Sequence, residues 1–294
     1  CYEAFLFFAW LHLIIQCGVN KIIKFSNVDG PGNRIAIFLQ GCNMHCRYCH
    51  NPETINHCNN CGLCIKTCPT KAISYKSDRV TWNKNLCIEC DSCTKYCENY
   101  SRSKTTAYSI EELLDEVKKV RHFVRGVTFS GGECSLNYEF ISVFFKEIRK
   151  NFTDFTCFVD TNGLVDFSKD KYNEFVNFTD YFMLDIKAYS EKEHIELTET
   201  SSKTVLKNLE YLKNKNKLYE VRTVVLNEFL NNEFTVKEVS KIIANSEIKY
   251  KLIKFRNIGV RDEFLKSEPS PQDDYMLKLK DISESLGVKN VVLI

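Results

Sequence analysis

The stretch RIAIFLQGCNMHCRYCHNP (34–52) joins a strand-like apolar run to three closely spaced cysteines. The run RIAIFLQ is rich in Ile, Phe and Leu, which is typical of a buried β-strand. Cys42, Cys46 and Cys49 follow it, so we expect them on the loop that leaves the strand. A tetrahedral metal site takes four protein ligands, and this triplet supplies three. The stretch therefore predicts a metal centre beside a sheet, with one ligand position still to be filled.

Similar apolar runs recur along the chain, and helical patterns separate most of them. The further strand candidates are VRGVTFS (124–130), FTCFVD (155–160), YFMLDIK (181–187), LYEVRTVVL (218–226) and YKLIKF (250–255). Helical periods occur in residues 136–150, 203–214, 235–246 and 273–287, and in SIEELLDEVKKV (109–120), where Ser109 and Glu112 form the pattern of a capping box. Strands that alternate with helices predict an α/β fold with a parallel sheet. About six such units favour a partial (β/α)6 TIM-like barrel over a complete eight-fold one.

The composition is that of an ordinary globular protein except for its cysteines. The 294 residues include 40 basic and 38 acidic side chains, a net charge of +2, which gives no reason to expect a nucleic-acid or membrane partner. Eleven of the 15 cysteines lie between Cys42 and Cys97, and the chain shows no usable secretion signal. Metal binding in a reducing, cytoplasmic environment is therefore favoured over disulfides, and we expect a monomer. The apolar segment 1–17 is shorter than the ~20 residues that span a bilayer, and we interpret it as an atypical N-terminus.

Residues 53–108 interrupt the alternation and hold eight cysteines, which predicts an inserted module at the carboxyl edge of the sheet. CNNCGLCIKTCP (58–69) and CIECDSCTKYCE (87–98) both read C-x2-C-x2-C-x3-C, the ferredoxin run in which three thiolates hold one [4Fe-4S] cluster and the fourth crosses to another. The predicted sets are Cys58, Cys61, Cys64 and Cys97 for one cluster, and Cys68, Cys87, Cys90 and Cys93 for the other. Two zinc sites of four cysteines each are the alternative. Glu98 stands where the second run would usually have proline.

The triplet of the opening stretch admits two interpretations. His50 could complete a zinc site with the three thiolates, although it adjoins Cys49 and would need an awkward turn. Otherwise the thiolates hold a [4Fe-4S] cluster whose fourth iron stays open for a substrate. C-x3-C-x2-C after a first strand resembles the radical S-adenosylmethionine enzymes. The resemblance implies that S-adenosylmethionine binds the open iron through its amino and carboxylate groups, and that Tyr48 lies against its adenine.

Three downstream motifs extend the resemblance. Glycines in TFSGGEC (128–134) allow the backbone to approach a ligand closely, although a plain turn at the strand end would also use them. The motif resembles the family's GGE sequence, which implies cofactor contacts by Ser130, Gly131, Gly132 and Glu133. VDTNG (159–163) and MLDIK (183–187) end neighbouring strands, so their acidic residues should face one mouth of the barrel.

Here the resemblance narrows to the glycyl-radical-enzyme activating enzymes, and among them to the YjjW-type activases with a two-cluster insert. It implies that a monovalent cation is held by Asp160, Thr161, Met183 and Asp185, and that Asp160, Asp185, Lys187 and Arg222 contact the cofactor. Ion pairs with a purely structural role are the alternative for these residues. VDGPG (28–32) would be a turn by local chemistry, but the resemblance places Asp29 where the partner's glycine loop enters. Arg256 stands where the family often has a histidine.

The resemblance covers roughly residues 18–260 and divides the chain into a radical S-adenosylmethionine barrel (18–52 and 109–294) and a ferredoxin-like insert (53–108). It implies an activating enzyme that cleaves S-adenosylmethionine reductively to a 5'-deoxyadenosyl radical and removes a hydrogen from a glycine of a partner glycyl radical enzyme. Flavodoxin or ferredoxin would donate the electron. A radical enzyme that acts on a small molecule is one alternative. A 2[4Fe-4S] electron-transfer protein is another, but it leaves the triplet and the GGE motif unexplained.

Overall fold

The computed structural model describes residues 15–227, 229–261 and 268–294. Its strands are β1 (Gln16–Ser26), β2 (Arg34–Leu39), β3 (Ile73–Lys76), β4 (Arg79–Trp82), β5 (Thr106–Ser109), β6 (Gly126–Gly131), β7 (Thr156–Thr161), β8 (Tyr181–Asp185), β9 (Leu218–Val225), β10 (Lys249–Lys254) and β11 (Asn290–Leu293). Its α-helices are α1 (Ser92–Lys95), α2 (Ile110–Val120), α3 (Tyr138–Asn151), α4 (Asn173–Phe178), α5 (Glu191–Thr198), α6 (Lys203–Asn214), α7 (Asn232–Ile243) and α8 (Asp273–Ser285). Short 3-10 turns lie at Pro52–Thr54, Leu63–Ile65, Lys84–Leu86, Arg121–Phe123, Cys134–Asn137 and Asp170–Tyr172.

One nine-stranded sheet organises the described part of the chain, in the order β11-β10-β9-β8-β7-β6-β2-β1-β5. The strands from β2 through β6 to β11 pair in parallel, whereas β1 runs antiparallel to both β2 and β5. The six strands predicted from apolar runs are β2 and β6 to β10, and they are neighbours in the sheet. The predicted α/β fold with a parallel sheet is confirmed.

The helix α2 begins where its sequence predicts. Ser109 Oγ accepts a hydrogen bond from the Glu112 backbone N–H, and the Glu112 carboxylate accepts one from the Ser109 N–H. These two bonds satisfy backbone donors that the first helical turn would otherwise leave unpaired. Helices α3, α6, α7 and α8 also form within a few residues of the predicted ranges. Among the described residues, no helix has the length and apolar character needed to cross a membrane.

The core lies between the sheet and the helices that cover it. Phe129 of β6 packs against Phe144 and Phe145 of α3, with ring centroids 5.4 and 5.5 Å apart, and all three side chains are fully buried. Cys134 and Cys157 are also fully buried, as expected for cysteines that act as small apolar residues. Continuous burial along β2 is typical of a central parallel strand.

Residues 53–108 consist of short elements joined by irregular segments. They include the β3–β4 hairpin, two 3-10 turns and the one-turn helix α1. Thr106–Tyr108, at the end of this range, belong to β5 and pair with β1 of the main sheet. Of the segment 1–17, residues 1–14 lie outside the described residues, and Gln16 and Cys17 begin β1.

Candidate active site and metal centres

A cavity of about 300 Å³ opens at the carboxyl ends of the parallel strands. Strands β2, β6, β7, β8, β9 and β10 each contribute at least one side chain to its wall. The residues predicted for cofactor and metal binding that line it are Cys42, Cys46, Tyr48, Cys49, Ser130, Gly131, Gly132, Asp160, Thr161, Asp185, Lys187 and Arg222. The fold therefore brings together motifs that are up to 180 residues apart in the chain. It does so at the carboxyl ends of the parallel strands, where α/β enzymes usually have their active sites.

The cysteine loop is held by its own backbone and by α5. The N–H groups of Gly41 and Cys42 donate to the carbonyls of Thr54 and Ile55 at 2.9 and 2.8 Å, which closes the loop at its base. The Arg47 N–H donates to the Leu197 carbonyl of α5 at 2.9 Å. These bonds fix the loop without using the thiols, which remain available as ligands.

Burial raises the pKa of all three thiols of this loop. It raises the pKa of Cys42 and of Cys49 to about 12, and it also raises the pKa of Cys46. Buried thiolates without a compensating positive charge are costly, because charge is poorly solvated in the protein interior. Three such thiols on one loop are a donor set that fits a cationic iron–sulfur centre.

His50 is engaged in contacts of its own. Its Nε2 atom lies 2.6 Å from the Arg256 carbonyl oxygen, and its ring stacks on Phe255 with centroids 5.9 Å apart. In the described ranges, no three His, Cys, Asp or Glu side chains converge closely enough to hold a single metal ion. A cluster differs from a single ion because its ligand sulfurs bind separate iron atoms. The side chain of Arg256 is exposed, and its contact with His50 is made by the backbone carbonyl.

The glycines of TFSGGEC allow the end of β6 to press against the cysteine loop. Gly131 has a φ of +121°, and a Cβ atom there would lie 2.3 Å from the Leu39 backbone. A Cβ atom on Gly132 would lie 2.3 Å from the Gly41 carbonyl oxygen and 2.7 Å from that of Thr54. Both contacts are impossible for any larger residue, so these glycines set how closely the cysteine loop approaches the sheet.

Glu133 turns away from the cavity. It is 1% exposed, and its carboxylate accepts hydrogen bonds from Thr161 Oγ1 at 2.7 Å, the Asn162 N–H at 2.6 Å and the Ser135 N–H at 3.0 Å. Burial raises the pKa of Glu133, and these hydrogen bonds oppose the shift. The carboxylate thus organises the end of β7 in this structure, and the cofactor contact that the GGE motif implies for Glu133 stays a prediction.

Asn162 is a site residue that the sequence reasoning missed, although it lies within the quoted VDTNG motif. It lines the cavity, and its Nδ2 group lies 3.8 Å from Cys42 Sγ and 2.9 Å from Asn43 Oδ1. A hydrogen-bond donor beside a cysteine sulfur stabilises negative charge on that sulfur. The motif could have indicated Asn162, because it follows two residues that were assigned to the site.

Asp160 and Arg222 form the buried charge pair on one side of the cavity. Asp160 Oδ2 accepts from Arg222 Nη1 at 2.9 Å and from Ser130 Oγ at 3.0 Å, whereas Oδ1 is buried without a hydrogen-bond partner. Burial raises the pKa of Asp160, and the Arg222 charge opposes this effect. Arg222 also bonds to Glu220 Oε1 at 2.5 Å and lies 3.0 Å from Met183 Sδ. Met183 is fully buried and does not line the cavity, although it pairs with Asp160 in the β7–β8 register.

A second charge pair also lines the cavity. Lys187 Nζ donates to Asp185 Oδ2 at 2.6 Å and lies 5.5 Å from the centroid of the Tyr48 ring. Tyr48 belongs to a small apolar cluster with Leu226, Phe255 and four other buried residues. The cavity therefore has an aromatic and apolar wall next to its charged groups, which suits a ligand with a flat base and a zwitterionic end.

The loop VDGPG reaches the cavity from an unexpected direction. It joins β1 to β2 at the amino end of β2, yet Asp29 is buried and lines the cavity. The Asp29 carbonyl accepts from Thr128 Oγ1 at 2.6 Å, and its carboxylate accepts from Ser26 Oγ at 2.5 Å. Arg222 Nη2 donates to the Val28 carbonyl at 3.3 Å. The loop thus folds back between the strands instead of lying at their carboxyl ends.

The insert gathers its eight thiols around two separate cavities. Cys58, Cys61, Cys64 and Cys97 line the first, which also touches Cys93. The second is lined by Cys68, Cys87, Cys90 and Cys93. These groups contain the two ligand sets predicted from the spacing, including the exchange of the fourth cysteine between the two runs. Four thiols around each cavity are a donor set that fits a [4Fe-4S] cluster.

Comparison with known proteins places the chain among iron–sulfur enzymes. A family model described as a 4Fe-4S single cluster domain matches residues 28–207, more than half of the chain. The isethionate sulfite-lyase activating enzyme of Oleidesulfovibrio alaskensis is 26% identical over 280 residues, which cover 87% of this chain and 89% of that protein. The 4-hydroxyphenylacetate decarboxylase activating enzyme of Clostridioides difficile is 28% identical over 267 residues, 82% of each chain. The crystal structure of QueE from Escherichia coli, with a TM-score of 0.52 and 13% identity over 97% of both chains, has a similar fold.

Proposed function

The chain belongs to the 4Fe-4S single cluster domain family, and we propose that it is a radical S-adenosylmethionine enzyme that activates a glycyl radical enzyme. The observation that supports this proposal most directly is that Cys42, Cys46 and Cys49 border the cavity in which the ends of six strands meet. The names of the relatives, all activating enzymes, support the same function. When bound, the cluster and S-adenosylmethionine supply an electron and a 5'-deoxyadenosyl radical, which removes a hydrogen atom from a glycine Cα of the partner.

The three cysteines act as the cluster ligands. Among the described residues that line the cavity, no other cysteine is present, so a [4Fe-4S] cluster held by these three would have one iron without a cysteine ligand, available to S-adenosylmethionine. Asn162 donates towards Cys42 Sγ and helps to hold negative charge on that sulfur. The glycine-dependent contact of Gly132 with the cysteine loop fixes the loop relative to β6.

The charged groups of the cavity recognise the zwitterionic end of S-adenosylmethionine. Lys187 and Arg222 offer donors to its carboxylate and ribose, and Asp160 and Asp185 offer acceptors to its amino group. Ser130, Gly131 and Gly132 supply polar groups at the end of β6, and Tyr48 offers a ring surface to the adenine. Each carboxylate is paired with a cation in this structure, which limits the cost of burying charge when no ligand is bound.

A monovalent cation fits beside Asp160. The Oδ1 atom of Asp160 is buried and unpartnered, and Thr161 and Asp185 line the same cavity. Hard cations prefer such oxygen ligands. Met183 can contribute only its backbone carbonyl, because its sulfur lies against Arg222. The cation would neutralise the second oxygen of Asp160, for which the protein provides no donor.

The remaining features complete the proposal. Strands β2 and β6 to β10 with their helices form a partial (β/α)6 barrel, and residues 53–108 form a ferredoxin-like module with two [4Fe-4S] clusters, which makes three clusters in all. Flavodoxin or ferredoxin donates the electron to a monomeric enzyme in the cytoplasm. The two insert cavities, each lined by at least four cysteines, support the assignment of two clusters to this module.

The test combines two products. Reconstituted and reduced protein is mixed anaerobically with S-adenosylmethionine and candidate glycyl radical enzymes, and 5'-deoxyadenosine and the glycyl doublet in the electron paramagnetic resonance spectrum are measured. We expect both, and we expect Cys46→Ala to abolish both whereas Cys17→Ala, a buried cysteine of β1, retains them. 5'-Deoxyadenosine without a glycyl doublet for any candidate would favour a small-molecule substrate. Absence of both from protein with a full iron content would favour an electron carrier.

A further inference from the structure

The two thiol-lined cavities of the insert differ in the charged groups around them. Lys104 and Asp91 both line the cavity of Cys68, Cys87, Cys90 and Cys93. Glu98, the residue that replaces the usual proline of the ferredoxin run, lines the cavity of the other set. A cluster gains negative charge when it is reduced, so a nearby cation favours the reduced state and a nearby carboxylate disfavours it.

Lys104 is buried, which strengthens its effect. Its side chain is 3% exposed, and its Nζ lies 2.5 Å from Asp91 Oδ1. Arg102 Nη2 lies 3.7 Å from the same oxygen, so one carboxylate is shared by two cations and the trio keeps a net charge of +1. Water screens a buried charge less than an exposed one. Arg102 does not line the second cavity, but together with Lys104 it more than neutralises Asp91, so the charged groups next to that cavity have a net positive charge.

Hydrogen bonds to the sulfurs of the second set act in the same direction. The Ala72 N–H donates to Cys68 Sγ at 3.2 Å, and the Glu89 N–H donates to Cys87 Sγ at 3.4 Å. Donors of this kind stabilise the more negative, reduced form of an iron–sulfur cluster. Glu98 is exposed, so its influence on the first set is weaker but of the opposite sign.

We propose that Lys104 and Glu98 separate the reduction potentials of the two insert clusters, with the Cys68, Cys87, Cys90 and Cys93 site being the more easily reduced. The inference rests on the proposed function, because it requires both sites to hold [4Fe-4S] clusters. Lys104 is a positioning charge that acts through the field at the cluster, and it is not itself a ligand.

The second site is also the one that a cleft connects to the barrel. Asp91 lines the second cavity and also a cleft of about 540 Å³ between the insert and the barrel. His50 lines the same cleft and the barrel cavity that contains Cys42, Cys46 and Cys49. The site with the greater affinity for an electron is therefore the one that adjoins the barrel.

The test is an anaerobic redox titration of the full chain followed by electron paramagnetic resonance. The signal that changes when S-adenosylmethionine is added belongs to the triplet, and the two unaffected signals belong to the insert. In Lys104→Gln, we expect the higher of the two insert potentials to fall, so that the ratio of reduced to oxidised cluster at a fixed potential drops about tenfold, or about 59 mV for one electron. Glu98→Gln should raise the lower potential by a smaller amount.

Two variants control for other effects. Lys104→Arg keeps the charge and should leave both insert potentials unchanged, and Lys76→Gln removes an exposed charge of β3 that lines neither cavity. If Lys104→Gln does not retain its iron, the shift in the exposed-site variant Glu98→Gln decides the matter. Unchanged insert potentials in Glu98→Gln and Lys104→Gln, with full iron content and normal 5'-deoxyadenosine formation, would overturn the inference and leave the proposed function standing. If the wild-type protein shows no insert signals but forms 5'-deoxyadenosine normally, the insert does not hold the two clusters that the inference requires, and the inference is refuted.

Discussion

Arg34 offers the sharpest test of how the barrel interior is held together. Its side chain is fully buried at the start of β2. Nε donates to Thr128 Oγ1 at 2.7 Å, Nη1 to Thr156 Oγ1 at 2.8 Å, and Nη2 to the carbonyls of Val127 and Thr156 at 2.8 and 2.7 Å. The guanidinium carbon also lies 4.2 Å from the centroid of the Phe158 ring. One side chain thus connects β2 with β6 and β7.

The cost of Arg34→Met follows from these contacts. Burial lowers the pKa of Arg34 to about 10, so the guanidinium is still charged at neutral pH and its hydrogen bonds are charge-assisted. Methionine would remove one hydrogen-bond donor from each of the four oxygens that Arg34 bonds. Each lost bond costs about 1 kcal/mol once the desolvation cost of the buried arginine, which methionine avoids, is subtracted. We expect a loss of about 4 kcal/mol in the free energy of unfolding, or about 10 °C in Tm for a chain of this size. Arg34→Lys, which keeps the charge but not the fork of donors, should lose about half as much.

The assay is thermal unfolding of anaerobically reconstituted protein, followed by far-ultraviolet circular dichroism at one fixed scan rate. Arg79→Met is the matched control, because Arg79 is exposed on the β3–β4 hairpin. The Arg34 variants should also bind the glycine loop of the partner enzyme less well, since Thr128 joins Arg34 to the Asp29 carbonyl. A Tm for Arg34→Met equal to that of the Arg79→Met control would refute the reasoning.

Three further substitutions test separate parts of the site. Gly132→Ala should remove the signal that responds to S-adenosylmethionine and keep the two insert signals, because its Cβ would meet the Gly41 carbonyl at 2.3 Å; an unchanged spectrum would contradict this. Glu133→Gln should lower the free energy of unfolding by about 2 kcal/mol, since an amide cannot accept all three bonds; a specific loss of S-adenosylmethionine affinity at unchanged stability would instead support the direct cofactor contact. Asp29→Asn should reduce glycyl radical formation more than 5'-deoxyadenosine formation, measured together, and an equal loss of both would count against a role in partner binding.

Much of the fold could be predicted from the sequence, because the central strands of a parallel sheet are buried on both faces and appear as continuous apolar runs. The strands β1, β5 and β11 were not predicted. Strand β1 contains lysine and asparagine, and β5 and β11 are four residues long, so their pairing depends on neighbours that are distant in the chain. The spacing of the insert cysteines was enough to group them as the structure does, because ligand spacing directly reflects cluster geometry.

The orientation of polar side chains was harder to predict. Glu133 follows two glycines at a strand end, which suggests a ligand contact, and the sequence did not indicate that the Asn162 N–H, just after β7, donates to its carboxylate. A fully buried arginine is rare, so nothing in the sequence distinguished Arg34 from surface arginines. The position of Asp29 was not evident from the sequence, because its carbonyl bonds to the Thr128 hydroxyl in a strand about a hundred residues away.

The most direct test of the proposed function is the electron paramagnetic resonance spectrum of the reduced, anaerobically purified protein with and without S-adenosylmethionine. An iron that the chain leaves open at Cys42, Cys46 and Cys49 should bind the added molecule, so one of the three cluster signals should change while the other two stay the same. Metal analysis of the same sample should find iron and sulfide and no stoichiometric zinc. Zinc at the triplet, or a spectrum that S-adenosylmethionine does not alter, would contradict the account.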